Sequence, residues 1–484
     1  MTAPTSVPPS ADPLVLDAAA IDAAFAGLDN PWLHGHFAPI ADERDDASLR
    51  VTGTLPSGLR GAFLRNGPNP IFTPLGRYHL FDGDGMVHGV TFDGEGGASY
   101  ANRWVRNPGF DAELEAGHAL FGGLSDFRLP PPEVFAAAGP IKNTANTHVV
   151  RHAGRILALM EGAGPIELGA DLGTVGPYDF AGALRGPMTA HPKEIDGELV
   201  FFGYSPLEPY LRIHSANVDG ELEWSTVVQL PGPVMMHDFV VTETSVVIFD
   251  LPAVFDLQAM IGGGEGIYWA PERGARIGVL ERGAPGDAVR WIEVDPFWVF
   301  HFLNATDLAD GRIEVTGCRA TRLNTSFGEE GLGEPVRPVL HRWTIDLAAG
   351  TVADEQLDDR PTDFPRIDDR RAGRPNRYGY SGHTATWDAD SAVFDGVIKF
   401  DLEARTSTVH QFGPNLVTGE PVPALDPADP AEDGGWILNH VYDLSTDESS
   451  VVVLDASTME EVARVHMPRR VPFGFHGSFL PEPS

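Results

Sequence analysis

From Val51 onward, short apolar runs separated by Gly, Asp and Asn turns recur along the chain, and a histidine stands at the head of several of them. His148 leads a run that turns through His152-Ala153-Gly154 into residues 156–161. His191 leads into Ile195-Asp196-Gly197-Glu198 and then Leu199-Val200-Phe201-Phe202. His237 leads Phe239-Val240-Val241, a Thr-Glu-Thr turn and Val246-Val247-Ile248-Phe249, and His301 leads Phe302-Leu303, an Asp310-Gly311 turn and Ile313-Glu314-Val315. These heads lie 43, 46 and 64 residues apart. Further units occur at 382–387 and from 436–438 to 451–454. Four-strand units repeated every ~40–50 residues are the signature of propeller blades. The 54 Gly and 41 Pro supply the turns. The pattern predicts an all-β propeller, with longer insertions near 100–145, 255–275 and 325–375 as loops on one face. Ahead of it, residues 1–13 read as a disordered tail rich in Pro, Ser and Ala. Residues 14–28 fit a short helix, and 14–484 are expected to form a single propeller domain.

In a propeller the innermost strand of every blade faces a common axis, so residues remote in sequence meet there. His191, His237, His301 and His476 (in Phe475-His476-Gly477) each stand next to such a strand. Four imidazoles pointing at one place are a metal-binding set. The chain has 17 histidines, and most must be ordinary surface or core residues. Spacing alone does not separate His148 from the other four.

Composition narrows the partners. The 34 Lys and Arg against 69 Asp and Glu give a net charge of −35. This excludes a phosphate backbone as partner, since nucleic acid needs clustered cations, and it disfavours binding driven by anionic lipid headgroups. The bland reading of the charge is a solubilising surface. A single cysteine, Cys318, rules out an internal disulfide and thiolate-rich zinc or iron–sulfur sites. The first residues lack a basic and then apolar leader pattern, and no run approaches the ~18 apolar residues of a membrane span. A cytoplasmic protein is expected. No protein partner is predicted.

Several motifs together resemble the carotenoid cleavage oxygenases. They are Phe63-Leu64-Arg65-Asn66-Gly67-Pro68-Asn69-Pro70, the run from His79 to Gly89, Ala190-His191-Pro192, Met236-His237-Asp238-Phe239, and the stretch from Pro296 to Asn304. Phe364-Pro365-Arg366-Ile367, the run from Ala431 to Trp436 and Gly474-Phe475-His476-Gly477 complete the set, in the family's order over nearly the whole chain. That family comprises non-haem iron dioxygenases, among them carotenoid and apocarotenoid cleavers, lignostilbene dioxygenases and the retinal pigment isomerase. The resemblance implies a seven-bladed propeller with a dome of loops and short helices over one face. It also implies one Fe(II) per subunit, held by His191, His237, His301 and His476. His148 falls in a stretch that supplies no ligand in the family, and Thr147 beside it matches a position that crowds an open iron site. Glu161 and Glu420 match carboxylates that hold the ligand rings from behind. The third such position is Asp363, where the family has Glu. Being one methylene shorter, Asp363 is expected to reach His301 only after a backbone shift or through a water. Read without the motifs, all three are ordinary strand-end carboxylates.

Four imidazoles on an octahedral ion leave two positions for O₂ and a substrate double bond, and cleavage to two carbonyl products needs no side-chain acid or base. The family's polyene substrates require an apolar tunnel. Phe302 and Met160 are expected in its wall. The loop 109–139, with Phe110, Leu114, Leu120, Phe121, Leu124, Phe127, Leu129 and Phe135, either forms the tunnel mouth and a peripheral membrane contact or packs the dome. In the lignostilbene branch a Lys before the first carboxylate and a Tyr hold the substrate phenol. Here Met160 takes the Lys position and residues 101–147 contain no Tyr, which favours carotenoids or apocarotenoids over stilbenes. Isomerase chemistry without O₂ is a further outcome in the family. Outside enzymology, the alternative is a non-catalytic propeller platform, which would have no need of four histidines and three carboxylates in register.

Overall fold

A computed structural model describes residues 13–262, 264, 266–323, 336–385 and 393–482. Seven antiparallel sheets form the blades of a β-propeller. Five are simple four-strand meanders, running from the inner to the outer strand. The second blade is His148–His152, Arg155–Leu159, Ile166–Leu168 and Thr174–Pro177, and the third is Lys193–Ile195, Glu198–Tyr204, Leu211–Ala216 and Leu222–Val228. The fourth is Val240–Val241, Ser245–Asp250, Ala275–Glu281 and Arg290–Val294. The fifth is Trp298–Asp307, Ile313–Ala320, Val339–Asp346 and Thr351–Gln356, and the sixth is Thr362–Arg366, Tyr378–His383, Gly396–Asp401 and Thr406–Gln411. All residues of Ser245–Asp250, the second strand of the fourth blade, are buried, whereas outermost Thr351–Gln356 is largely exposed and polar. Burial on both faces thus selects the continuous apolar runs that the sequence shows.

The first and last blades close the ring with strands from both ends of the chain. In the first, Gly477–Pro481 is innermost, followed by Arg60–Pro68, Gly85–Asp93, Ala98–Trp104 and Arg44–Asp46. In the seventh, Leu416–Thr418 and Val422–Leu425 pair with Gly435–Asp443, followed by Glu448–Asp455, Glu461–His466 and Arg50–Gly53. Inner strands of neighbouring blades touch: Gly477–Pro481 meets both His148–His152 and Val422–Leu425, and Trp298–Asp307 meets Val240–Val241 and Thr362–Arg366. Between blades the contact is mainly side-chain packing, with a few polar bonds. Val247, Ile277, Val279, Phe297, Trp298, Val315 and Trp343 form such a seam between the fourth and fifth blades.

Three sequence expectations change. The N-terminal helix covers only Ala18–Phe25, capped by the Asp17 carboxylate on the N–H groups of Ala19 and Ala20. The segment near 325–375 is not a loop insertion, because its described part supplies blade strands Val339–Asp346, Thr351–Gln356 and Thr362–Arg366. In Val-Leu-His-Arg-Trp-Thr-Ile-Asp, Trp343 and Ile345 alternate with polar residues and pack towards the fourth blade, while Leu340 packs on the opposite face with Cys318, Ile398 and Phe400. Third, His301 does not precede its strand but lies within it, where the pairing register shifts. The expected tail lies outside the described residues except for Pro13, as do Thr386 and Trp387. The insertion near 100–145 carries the helices Pro108–Ala116 and Pro132–Ala138. The first of these is pinned by a buried cluster in which Lys142 pairs with both Glu113 and Asp84.

The Arg-Asn-Gly-Pro motif sets the place of His476. The Asn66 N–H donates to the His476 carbonyl at 3.0 Å, and the Phe475 N–H donates to the Asn66 carbonyl at 2.8 Å. The Asn66 amide donates to the carbonyls of Ala145 and His148. The backbones approach so closely that a Cβ on Gly474 would lie 2.6 Å from Arg65 Nε and 2.7 Å from the Asn66 carbonyl oxygen. Gly474→Ala is expected to cost about 1–3 kcal/mol, the usual range for overpacking, read as a lowered midpoint of denaturant unfolding.

Candidate metal centre

His191 and His237 stand just before the inner strands of the third and fourth blades, and His476 just before that of the first. His301 reaches the same point from the fifth blade because the irregularity around Phe302 re-aims its side chain. One ligand atom from each of the four lies within 4.8 Å of all the others, and all four residues are buried. His191 Nε2 is 3.0 Å from His237 Nε2, which is 3.0 Å from His301 Nε2. The four residues expected as ligands therefore converge. His148 stays outside. Its ring centroid is 5.5 Å from that of His476, and its Nδ1 bonds the Ala190 carbonyl at 2.8 Å.

Three of the rings are held from behind by carboxylates. His237 Nδ1 bonds Glu161, His301 Nδ1 bonds Asp363 at 2.9 Å, and His476 Nδ1 bonds Glu420 at 3.0 Å. A carboxylate on Nδ1 keeps the proton there and turns the lone pair of Nε2 inward. Lone pairs on nitrogens 3.0 Å apart repel, and a cation between them removes the repulsion. The donor set fits a first-row metal such as iron, which neutral imidazole suits. The surrounding charge fits as well. Three carboxylates against one guanidinium, Arg366 on Glu420 at 3.1 Å, leave a formal −2 to oppose a divalent ion.

Burial sets the protonation of the rings. It holds His191 well below the usual imidazole value, helped by the neighbouring histidines, and holds His301 down to about 3. His476 is lowered too, with Glu420 pulling against burial. His237 goes the other way: burial lowers it, but the charge and hydrogen bond of Glu161 outweigh that and raise it. Burial pushes the Asp363 carboxyl up to about 7, whereas at Glu420 the charge of Arg366 and the bond to His476 overcome burial and bring it down to about 2.

Asp363 reaches His301 directly. Its strand shifts register immediately afterwards, Phe364 adopts a left-handed φ of 57°, and the Phe364 N–H donates back to Asp363 Oδ1 at 2.9 Å. A bent backbone accompanies the short side chain, and no bridging water is needed. Among the expected pocket residues, the Thr147 carbonyl accepts the His476 N–H at 3.1 Å while its hydroxyl donates to Asn146. Met160 Sδ lies 3.7 Å from the Thr144 hydroxyl. Phe302 is not a wall residue of the site. It alternates with His301 along the strand and so points into the seam between blades, with its ring centroid 4.3 Å from that of Phe249.

The aromatic walls are instead Phe300, 5.3 Å from the His237 ring, and Phe364, 4.8 Å from the rings of both His301 and His476. Sequence reading also missed Tyr204, whose hydroxyl donates to Glu161 Oε2 at 2.5 Å. Strand alternation around His301 could have shown that Phe300 and Phe302 share the face opposite to the ligand in an unbroken strand; the irregularity separates them. Nothing local marks Tyr204. In the 109–139 connection, Phe110 and Phe121 are buried, which fits dome packing, while Leu124, Leu129 and Phe135 are exposed.

A family model described as retinal pigment epithelial membrane protein matches residues 37–481. A carotenoid cleavage oxygenase of Mycobacterium tuberculosis is 36% identical, over 93% of this chain and 98% of its own length. The chain belongs to the carotenoid cleavage oxygenase family. A carotenoid 9,10(9′,10′)-cleavage dioxygenase of Pisum sativum is 34% identical to this oxygenase, over 94% of the chain and 91% of the relative. Among solved structures, the lignostilbene dioxygenase of Pseudomonas brassicacearum superposes with a TM-score of 0.85 at 29% identity, over 94% of this chain and 99% of that one. The Synechocystis apocarotenoid oxygenase gives 0.81 at 28% identity, over 91% and 96%. Membership makes this chain an oxygenase rather than a non-catalytic platform. Among the described residues, no helix is long and apolar enough to cross a membrane.

Because the backbone at Asp363 is already drawn towards His301, Asp363→Glu adds a methylene where there is no slack. The variant is expected to bind a divalent metal ion roughly tenfold more weakly, the lower end of the usual effect of disturbing a ligand's hydrogen-bond partner, as measured by competition with a chelator.

Proposed function

We propose that this oxygenase is a non-haem Fe(II) dioxygenase that cleaves a conjugated C=C bond of a carotenoid or apocarotenoid into two carbonyl products. The observation that carries the proposal is the buried set of four imidazoles, His191, His237, His301 and His476, with carboxylates behind three of them. The substrate class follows the carotenoid cleavage oxygenase of Mycobacterium tuberculosis and the carotenoid dioxygenase of Pisum sativum to which the chain is similar.

Bound Fe(II) would supply the reductive activation of O₂, which side chains do not provide. The chain's own part is to hold and enclose. Glu161, Asp363 and Glu420 keep the Nδ1 protons of His237, His301 and His476, so that Nε2 of each serves as a donor. Phe300 and Phe364 flank the rings with apolar surface that suits a polyene and keeps bulk water away. Thr147 and Met160 are assigned to the pocket beside them. Met160 offers flexible, polarizable bulk without charge. Because no catalytic acid or base is assigned, the pH dependence of turnover should follow metal retention.

A stilbene-type reading has one observation in its favour, the fold match to the lignostilbene dioxygenase. Against it stands Met160 at the position where that branch carries a Lys. For delivery of a water-insoluble substrate, exposed Leu124, Leu129 and Phe135 provide a peripheral membrane contact for an otherwise cytoplasmic enzyme.

Iron-loaded protein incubated in air with an apocarotenal, a full-length carotenoid and a hydroxystilbene is expected to give aldehyde or ketone fragments from a polyene, identified by mass spectrometry. Aromatic aldehydes from the stilbene alone would reverse the choice of substrate. Separately, Leu129→Asp with Phe135→Asp is expected to reduce liposome flotation several-fold without lowering iron content; unchanged flotation would remove the membrane contact.

A further inference from the structure

One carboxylate joins three of the four ligand-bearing segments. Asp238 directly follows His237, and its side chain is 1% exposed. Its Oδ1 accepts the Phe239 N–H at 2.8 Å and faces Lys193 Nζ at 2.7 Å. Its Oδ2 accepts the Phe302 N–H at 2.9 Å. Lys193 lies two residues after His191, and Phe302 lies one residue after His301. The Phe302 N–H is available because the ladder shifts register on both sides of this residue. Asp238 thus bonds to the third blade through Lys193 and to the fifth through Phe302 while belonging to the connection into the fourth.

The fourth ligand has a separate tie. The N–H of Gly477, next to His476, donates to Glu420 Oε2 at 2.9 Å, and the carbonyl of Gly477 accepts from Arg366 at 2.8 Å. The ligands are therefore held as three plus one, each group by a buried carboxylate paired with a cation.

Sheet hydrogen bonds run within a blade, so neighbouring blades are held in register by packing, which resists small rotations weakly at the inner ends. Hydrogen bonds to an ionised group are short and strong. Placed across two blade boundaries at the axis, they stop the inner ends from moving apart. We propose that Asp238, with Lys193, is a positioning residue of the metal centre that fixes the mutual placement of His191, His237 and His301. This inference rests on the reading that the four histidines hold a divalent ion and is independent of the substrate.

The test is cobalt(II) titration of metal-free full-length protein, because the visible bands of cobalt(II) depend on ligand number and geometry. Asp238→Asn keeps the shape but loses the charge and one acceptor. It is expected to weaken cobalt binding roughly tenfold or more and, at saturation, to shift the bands, a change that general destabilisation would not produce in folded, loaded protein. Lys193→Met retains the bond to Phe302 and should give a smaller shift in the same direction. Wild-type bands and affinity in folded Asp238→Asn would overturn the proposal. If that variant does not fold, Lys193→Met decides: shifted bands support the clamp, and unshifted bands overturn it. A wild-type protein that binds no cobalt, or a His237→Ala variant that binds it equally well, would remove the four-histidine centre and the clamp with it.

Discussion

Everything near the axis depends on forcing four imidazole nitrogens to share a space of less than 5 Å in a buried place. Left to itself such a cluster is unfavourable, since buried lone pairs lack donors and point at one another. The chain offsets this in two ways. Three of the four outer ring nitrogens are committed to carboxylates, which fixes their tautomer, and the carboxylates leave a negative balance that awaits a cation. The propeller supplies the rigidity, because each ligand is attached at or near the inner strand of a blade whose both faces are buried.

The blade rhythm and the four histidines were legible because both depend on local signals, namely strand alternation, turn residues and a histidine at or beside several inner strands. The seven-fold count and the exclusion of His148 came from resemblance rather than spacing. What was not legible is tertiary. Tyr204 reaches Glu161 from the neighbouring blade, and no local pattern announces a second partner for that carboxylate. Phe302 was misplaced because it follows a ligand directly, although alternation turns it away into the seam, whereas the irregularity leaves Phe300 beside the ligands and turns His301 towards the axis. The blade strands after residue 336 were hidden by the polar Arg342, Thr344 and Asp346, which interrupt the apolar Trp343 and Ile345.

Asp363 illustrates how a local departure is absorbed. The shorter side chain coincides with a register shift and a left-handed Phe364, so the hydrogen bond to His301 is kept by bending the main chain. The same bend brings the Phe364 ring against His301 and His476. One deviation in the strand therefore shapes both the support of a ligand and the apolar wall beside it.

The closing of the ring has a consequence for the order in which the protein matures. The innermost strand of the first blade is Gly477–Pro481, and His476 stands immediately before it. During synthesis the segments carrying His191, His237 and His301 leave the ribosome long before that strand does. A nascent chain can offer an ion three nitrogens but not four, and the first blade lacks its inner strand until then. Docking of one late strand therefore completes the scaffold and brings the fourth imidazole to the other three in a single event.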